Sequence, residues 1–482
     1  MTLSSRFKAP DTTLVIFSII VLAAVMTWVV PPGAFEKTTI QVEGVGAREV
    51  VVPGTFSYID RPAESFIGRV VHSIGMILKA PILGIIHPGT APIVAFVLLI
   101  GGAFGVLART GAVETSLRRI VQRSEQSERL RRMLIPIFMV LFSFGGAVFG
   151  MSEEVIPFIL IFVPLALALG YDSVTGVAIP FLGSTAGFTA AFINPFTLQV
   201  AQGIAGLPPL SGQLFRVVLW VVVTAFVIAF VMWHAARVKR NPEKSPTFEL
   251  DKKKREEGLH LNEEGSVDLS QRQVAVLVVF FLGIGALVAG VLIFGWYIIE
   301  IAALFIAIGI LMGIVGGLGA NETAESFMAG ARDLVATAIL IGLARGILVV
   351  LEDGQIVDTV LYALSSALGD VGPGGSATAM FGVQTVINFF VPSGSGQAAL
   401  TMPLMAPLAD LLGVSRQIAV LAYQMGDGFT NMIIPTSAVL MGSLTLAGVP
   451  WPSWARWILP LQLFLFALGV VVLFIAVAIG FS

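Results

Sequence analysis

Long apolar stretches recur from one end of the chain to the other, separated by shorter polar segments. Many are long enough to form an α-helix that crosses the hydrocarbon core of a bilayer, which takes about 20 residues. Two polar segments, 109–132 and 237–272, hold the densest clusters of Arg and Lys, and such clusters mark cytoplasmic loops. The pattern predicts an all-α polytopic membrane protein, divided near its middle by a cytoplasmic linker at 237–272.

Small polar and helix-breaking residues interrupt this apolar pattern. The sharpest interruption is PSGSGQ at 392–397, and GMSEE at 150–154 is a second. Backbone freed at membrane depth must be buried in protein or line a wet cavity, so we predict the tip of a re-entrant hairpin at each position. With a helix restarting at about Gln397, free N–H groups and the helix dipole at 393–396 would attract an anion.

The two halves of the chain repeat the same motifs in the same order. PLA at 164–166 matches 407–409, and GFT at 187–189 matches 428–430. Each half contains an amphipathic arm, a hairpin, an interrupted helix and a final span. Because the first arm is cytoplasmic and the topology places the second arm outside, the repeats are inverted. Such repeats are typical of secondary transporters, whose site lies at the repeat interface.

These elements give the predicted domain organisation. The first repeat, 1–236, contains scaffold helices at 12–108, the arm at 109–132, a hairpin at 133–170, a broken helix at 174–202 and a helix at 214–235. After the linker, the second repeat, 273–482, contains scaffold helices at 273–351, the arm at 352–370, a hairpin at 376–412, a broken helix at 417–446 and a helix at 456–480. We expect Gly183, Gly187 and Pro195 to interrupt the first broken helix, and Gly426, Gly428 and Pro435 the second. The N-terminus is then cytoplasmic and the C-terminus outside.

Composition changes this picture mainly by exclusion. Hydrophobic residues make up 56% of the chain and charged residues 12%, about half the charged fraction of a soluble domain. The net charge of −2 and the lack of a basic tract with aromatic residues give no sign of a nucleic-acid partner. The absence of cysteine excludes disulfides and Cys-ligated metal sites. We therefore expect the partners to be a small solute and the lipid bilayer.

Hydroxyl and amide side chains concentrate in the tips and breaks, which are expected to converge. With unwound carbonyls, such groups suit a small polar solute and a hard cation. For any single Ser or Thr, a helix back-bond is an equal alternative. Carboxylates are stronger indications, since a charge in the membrane costs about 2.5–3.5 kcal/mol, although helix capping remains open for each. The predicted substrate-binding residues are Ser152, Glu153, Glu154, Thr189, Asn194, Thr197, Ser393, Gly394, Ser395, Gly396, Gln397, Asp427, Thr430, Asn431, Thr436 and Ser437.

The charges in these segments are almost all negative. Residues 133–202 contain no Lys or Arg, and between 375 and 450 the only one is Arg416. This excess of acid favours a solute with a positive side chain. We expect no catalytic residue and no cofactor, and either Na⁺ or H⁺ as a coupling ion. The predicted Na⁺ site lies near Glu154, Asn194, Asp427 and Asn431.

Four motifs resemble those of the DcuC/YfcC-like carriers of the ion-transporter superfamily. They are GMSEE at 150–154, FINPFT at 192–197, PSGSGQA at 392–398 and GDGFTN at 426–431, and the resemblance extends over nearly the whole chain. It implies a homodimer in the inner membrane, with a scaffold domain and an elevator-type transport domain. Names in the family point both to four-carbon dicarboxylates and to basic amino acids.

Together these observations predict a secondary transporter of a carboxylate-bearing solute, of the arginine and ornithine class. The solute would move by ion-coupled transport or by exchange. A four-carbon dicarboxylate carrier is the alternative, and a channel is a remote one. An intramembrane aspartyl protease is also remote: Tyr171-Asp172 and Gly426-Asp427 resemble its motifs, but Gln424 replaces a required glycine. We therefore expect no enzymatic activity.

The predicted topology can be tested with single cysteines, because the chain has none of its own. We expect cysteines placed in 109–132 and in 237–272 to react only with reagents that reach the cytoplasm, since both segments are rich in Arg and Lys. Labelling of either segment from outside intact cells would contradict the inverted arrangement.

Overall fold

The computed structural model describes residues 12–42, 46–60, 65–125, 127–208, 210–256, 268–366 and 372–482. Ten helices precede residue 257 in these ranges: α1 (Thr12–Val29), α2 (Phe66–Ile86), α3 (Ala91–Arg109), α4 (Ala112–Glu125), α5 (Glu128–Phe149), α6 (Ile159–Ala168), α7 (Ser173–Thr189), α8 (Leu198–Ile204), α9 (Gln213–Arg240) and α10 (Phe248–Glu256). Short 3₁₀ helices cover Glu153–Phe158 and Pro242–Lys244.

Ten further helices follow in the second half of the described chain. They are α11 (Gln271–Phe294), α12 (Ile298–Gly316), α13 (Ala320–Asp333), α14 (Val335–Asp353), α15 (Val357–Ser366), α16 (Gly372–Phe390), α17 (Gly394–Leu411), α18 (Arg416–Asn431), α19 (Ala438–Leu446) and α20 (Trp451–Ala478). Eight helices in the described ranges are long and apolar enough to cross a membrane, which supports a multi-pass membrane protein. They are α2, α3, α9, α11, α12, α14, α20 and the 131–149 part of α5.

The described chain is mostly helical, as predicted, but four short strands that were not predicted form between α1 and α2. β1 (Gly33–Ala34) pairs with β4 (Ser57–Tyr58), and β2 (Lys37–Val42) pairs antiparallel with β3 (Gly46–Val51). The β2–β3 segment is rich in Thr, Ile and Val, whose β-branched side chains favour strands. β3 packs on α17 and β2 contacts α8, so tertiary contacts cover this hairpin.

Both broken helices form, but their glycines do not cause the breaks. α7 runs through Gly183 and Gly187, and α18 runs through Gly426 and Gly428. Non-helical backbone begins only after each helix, and Pro195 and Pro435 lie in those later stretches, where a missing N–H is tolerated. The predicted interruption at the glycines was therefore wrong.

The glycines instead let neighbouring helices approach each other closely. An added Cβ at Gly187 would overlap the carbonyl oxygen of Ser143 on α5. One at Gly428 would overlap the side chain of Thr189 on α7. The close packing of α7 on α5 and on α18 compensates for the roughly 1 kcal/mol that a glycine costs inside a helix.

Three predicted boundaries also shift. α17 begins at Gly394 rather than near Gln397, because the hydroxyl of Ser393 accepts a hydrogen bond from the N–H of Gly396 and caps the helix. α5 begins at Glu128, so the last arginines of the predicted first arm belong to the hairpin helix. α9 continues to Arg240, into the predicted linker, since nothing there breaks the helix.

The described part of the linker packs against the helices. Asp172, which caps α7, lies 2.9 Å from Nε2 of His234 and accepts a hydrogen bond from Ser245 at 2.7 Å. Burial acts to raise the pKa of Asp172, but hydrogen bonds from His234, Thr175 and Ser245 outweigh it and hold the pKa below its ordinary value. This carboxylate therefore stays ionised and joins α7, α9 and the linker.

A second set of bonds joins α10 to both halves of the chain. Asp251 accepts hydrogen bonds from the backbone N–H and the hydroxyl of Ser173, at 3.0 and 2.5 Å. Lys254 donates to the hydroxyl of Ser173 and to the carbonyl of Ala447 after α19. The segment expected only to connect the repeats thus contacts the first broken helix and the second.

Helix packing forms two interconnected groups. One contains α1, α2, α3 and α11–α14, in which α2 lies along α14 and α13 lies along α3. The other contains α5–α8 and α16–α19, where α7 packs on α5 and α18 packs on α16 and α17. α14 contacts α19, so the two groups of helices meet beside the non-helical stretch that precedes α19.

Candidate functional site

Both hairpin tips and both helix breaks meet at one cavity of about 190 Å³, which we call the central cavity. The four segments belong to different parts of the chain, as the repeat pattern suggested. The predicted site residues that line it are Ser152, Glu153, Glu154, Thr197, Ser393, Gly394, Ser395, Asn431, Thr436 and Ser437.

The first tip is a tight turn followed by a 3₁₀ helix. Gly150 has φ 74°, a left-handed conformation that favours glycine. The backbone N–H of Ser152 donates to Oε2 of Glu154 at 2.9 Å. Glu153 and Glu154 both line the central cavity, which places two adjacent carboxylates on its wall.

Five other predicted residues are buried behind this wall: Thr189, Asn194, Gln397, Asp427 and Thr430. Oδ1 of Asn194 accepts hydrogen bonds from the N–H groups of Phe196 and Thr197, at 2.9 and 3.2 Å. Gln397 donates to the backbone carbonyl and side chain of Gln384. These amides therefore hold the break and the hairpin in shape.

Asp427 lies one layer behind the cavity, inside α18 rather than at a helix break. Its Oδ1 accepts a hydrogen bond from Nδ2 of Asn431 at 3.0 Å, and Asn431 lines the cavity. Its Oδ2 is buried without a hydrogen-bond partner and lies 3.6 Å from where a Cβ on Gly394 would stand. The carboxylate thus faces the backbone at the start of α17.

Several oxygen atoms around Asp427 also have no partner. Buried polar atoms are nearly always hydrogen-bonded in proteins, and leaving one unpaired costs about 1–3 kcal/mol. The buried, unpartnered side-chain oxygens here are Oγ1 of Thr197, Oδ2 of Asp427, Oγ1 of Thr430, Oδ1 of Asn431 and Oγ1 of Thr436. Oxygens of this kind are suited to accept hydrogen bonds or to coordinate a hard cation.

The start of α17 is held in position by two neighbours. The hydroxyl of Tyr423 on α18 donates to the carbonyl of Gly394 at 2.6 Å. A Cβ on Gly394 would overlap the Cγ2 methyl of Thr197, from the first break. The first turn of α17 therefore sits against both broken helices and exposes Ser393 and Ser395 to the cavity.

The structure adds two basic residues that the sequence reasoning missed. Arg345 on α14 lines the central cavity. The search for basic residues covered only the hairpins and broken helices, although a lone Arg in the apolar stretch 335–351 was the available signal.

Arg216 on α9 is the other, and only 1% of it is exposed. Its guanidinium donates to Oε1 of Gln424 at 2.5 Å and to Oε1 of Gln417 at 3.2 Å. Gln424 in turn donates to the carbonyls of Phe188 and Ala191 at 3.2 Å. Arg216 thus fixes the end of α7 against α18.

The comparisons with known proteins identify the family of this chain. The family model of DcuC, the C4-dicarboxylate anaerobic carrier, matches residues 9–478. The chain belongs to the DcuC family. The resemblance inferred from the four motifs is confirmed, and the chain is a membrane transporter of this family.

Two relatives and two solved structures are similar to this chain. The "Putative basic amino acid antiporter YfcC" of Escherichia coli K12 is 39% identical over 480 residues, covering 94% of this chain and 93% of the relative. An uncharacterised Haemophilus influenzae protein is 29% identical over 511 residues, covering 98% of both. The Alcanivorax borkumensis YdaH transporter superposes with TM-score 0.44 at 16% identity, covering 98% of this chain and 99% of that one. Neisseria gonorrhoeae MtrF, described as illuminating a class of antimetabolite efflux pumps, gives TM-score 0.41 at 17% identity. The match covers 98% of this chain and 96% of that one.

The two tip glycines of this DcuC-family chain should differ in their tolerance of a methyl group. We expect Gly394→Ala to destabilise the purified protein by about 1–3 kcal/mol, because the new Cβ overlaps Thr197 in a packed wall. Gly396→Ala is the matched control, since its Cβ would meet the side chain of Ser393 in its own turn at 3.0 Å and that of Val391 at an ordinary contact distance of 3.8 Å. Thermal unfolding in detergent measures both, and equal melting temperatures for the two variants would contradict the packing described.

Proposed function

We propose that this DcuC-family protein is a secondary active transporter of basic amino acids, of the arginine and ornithine class. The observation that carries the proposal is the charge of the central cavity. Its charged lining residues are Glu153, Glu154 and Arg345, two acids and one base. Arginine and ornithine carry two positive groups and one carboxylate, so their charges are the complement of this set.

The solute's carboxylate is placed at the N-terminal end of α17. Free N–H groups and the helix dipole favour an anion there, and Ser393 and Ser395 add hydroxyl donors. The amino or guanidino group is placed at Glu153 and Glu154, which lie on the same cavity. This arrangement uses both acids of the lining.

A four-carbon dicarboxylate is the second candidate. Arg345 and the N-terminus of α17 are both anion-binding features, and they favour a solute with two carboxylates. Glu153 and Glu154 oppose it, because a second carboxylate in this cavity meets two like charges. We therefore place basic amino acids first.

The transport cycle proposed is of the elevator type, in inverted repeats and in a homodimer of the inner membrane. The group formed by α5–α8 and α16–α19 is the mobile domain, and its two hairpins are re-entrant. The reciprocal packing of α2 on α14 and of α13 on α3 supports the repeat relationship. The cytoplasmic N-terminus and external C-terminus follow from the Arg and Lys distribution.

Coupling to Na⁺ or H⁺ is proposed at Asp427. The unpartnered oxygens around it, from Thr197, Thr430 and Asn431, are the hard ligands that suit Na⁺. Glu154 belongs to the same cavity but accepts a bond from Ser152, and Asn194 caps its own loop, so neither faces Asp427 as directly.

The carboxylates of Glu154 and Asp427 should be needed for transport. We expect Glu154→Gln and Asp427→Asn each to abolish arginine counterflow in proteoliposomes while the variants still insert and purify, because each removes a charge that the membrane tolerates only at a cost. Glu153→Gln should have the milder effect. Normal counterflow by both variants at every Na⁺ and proton gradient would disprove the site.

The solute class can be tested by paired ligands. We expect L-arginine at one hundred times its dissociation constant to stabilise the purified protein by about 2.7 kcal/mol, and agmatine, which lacks the carboxylate, to stabilise it far less. Ornithine should likewise exceed succinate in a thermal-shift measurement. Equal shifts with agmatine and arginine would contradict the carboxylate site, and a larger shift with succinate would favour the dicarboxylate carrier.

A further inference from the structure

A second cavity, of about 440 Å³, adjoins the central one, and we call it the side cavity. Both are lined by Tyr297, Arg345, Ser393 and Ser395, so the guanidinium of Arg345 stands at their common boundary with the first turn of α17. The charged residues lining the side cavity are Arg345, Glu352 and Asp358. A solute passing between the cavities would pass Arg345.

No described carboxylate lies within ion-pair distance of Arg345, and Glu352 attracts it only from farther away. Its Nη2 lies 3.1 Å from Nδ1 and 3.0 Å from Nε2 of His87. One nitrogen cannot bond both ring nitrogens in the plane of the ring, so the guanidinium lies over the ring face. Nδ1 of His87 already accepts a hydrogen bond from the N–H of Gly89 at 3.0 Å. His87 therefore supports Arg345 by stacking rather than by neutralising it.

Within the described ranges of the chain, Arg345 makes no ion pair with a carboxylate, and its Nε is buried without a partner. Glu352 lies about two turns further along α14 and approaches Nε2 of His87, at 3.9 Å, instead. A half-buried cation with no carboxylate within ion-pair distance is costly, particularly in a membrane protein. Its forked donors match a carboxylate in shape and charge.

We propose that Arg345 is a specificity-determining residue that binds the carboxylate of the solute together with the N-terminus of α17. The inference rests on the proposed function and names the group that recognises one end of the solute. Glu352 and Asp358 give the side cavity an excess of negative charge, which draws a cationic solute toward Arg345. A cation without a carboxylate then finds no partner at the boundary.

The two sides of the proposed carboxylate site, Arg345 and the N-terminus of α17, belong to different groups of packed helices. Arg345 belongs to α14, and Ser393 and Ser395 belong to the tip of α17. The solute's carboxylate is held from both sides only while these helices face each other. Relative movement of the two groups removes one side of this site and weakens binding.

The test measures the ratio of two affinities in each variant. Purified wild type, Arg345→Gln and Arg345→Lys are titrated with L-arginine and with agmatine. We expect Arg345→Gln to weaken arginine binding by about 10- to 150-fold, the loss of a charge-assisted hydrogen bond, and to leave agmatine binding unchanged or tighter. Arg345→Lys should keep part of the preference, because it retains the charge but not the fork.

Arg416→Gln is the matched control, since that arginine forms an exposed ion pair with Asp410 away from both cavities. It should leave the arginine-to-agmatine ratio at the wild-type value. An equal loss of both ligands in Arg345→Gln, with the ratio preserved, would show a merely structural role and overturn the proposal.

The same experiment separates this proposal from the proposed function. Wild type that binds succinate and not arginine would disprove the basic amino acid assignment alone. Succinate and butyrate, which differ by one carboxylate, would then replace arginine and agmatine. Loss of the succinate preference in Arg345→Gln would still support the role of Arg345, and its retention would overturn it.

Discussion

Backbone groups released by a helix break inside a membrane protein need partners from the protein, and this need organises the site. After α18, the indole N–H groups of Trp454 and Trp451 donate to the carbonyls of Met432 and Ile433, at 2.9 and 2.8 Å. After α7, Gln424 serves the carbonyl of Ala191. α20 takes part directly through Trp454. α9 takes part indirectly, because its Arg216 holds Gln424.

Because side chains from other helices bond backbone carbonyls at the breaks, nearby side-chain oxygens remain available to bind a solute or an ion. The carbonyls of Ala191, Met432 and Ile433 at the breaks accept hydrogen bonds. In the adjoining wall, Oγ1 of Thr197, Oδ2 of Asp427 and Oγ1 of Thr436 have no partner. This division is what a transporter needs, because the frame must persist while the polar ligands exchange one solute or ion for another.

Glycines in α7 and α18 allow close packing of helices and do not interrupt them. Gly187 and Gly428 lie within continuous helices, where the absence of a side chain lets α7 meet α5 and α18 at short range. That proximity carries Thr189 and Asp427 to the same layer behind the cavity. Gly394 brings the start of α17 against Thr197 in the same way. The site is therefore compact because its helices touch through their backbones.

Local chemistry was readable from the residues alone. The apolar stretches, the breaks near Pro195 and Pro435, the tips at 150–154 and 392–397 and the family all follow from the chain without coordinates. Each depends on a property of one short segment, such as a missing N–H, a free helix end or the cost of a charge in lipid. The hydroxyl-rich tips and breaks supplied ten of the residues that line the central cavity for the same reason.

The features that the sequence did not predict depend on contacts between distant segments of the chain. The β2–β3 hairpin forms where a polar connection was expected, and it is covered by α17 and α8. Asp427 lies behind Asn431 because α18 continues through its glycines, and Arg345 reaches the cavity because α14 packs beside the breaks. A side chain lines a cavity only when elements from other parts of the chain leave space beside it. Periodicity and composition do not record that space, since it belongs to the packing of helices and not to any one of them.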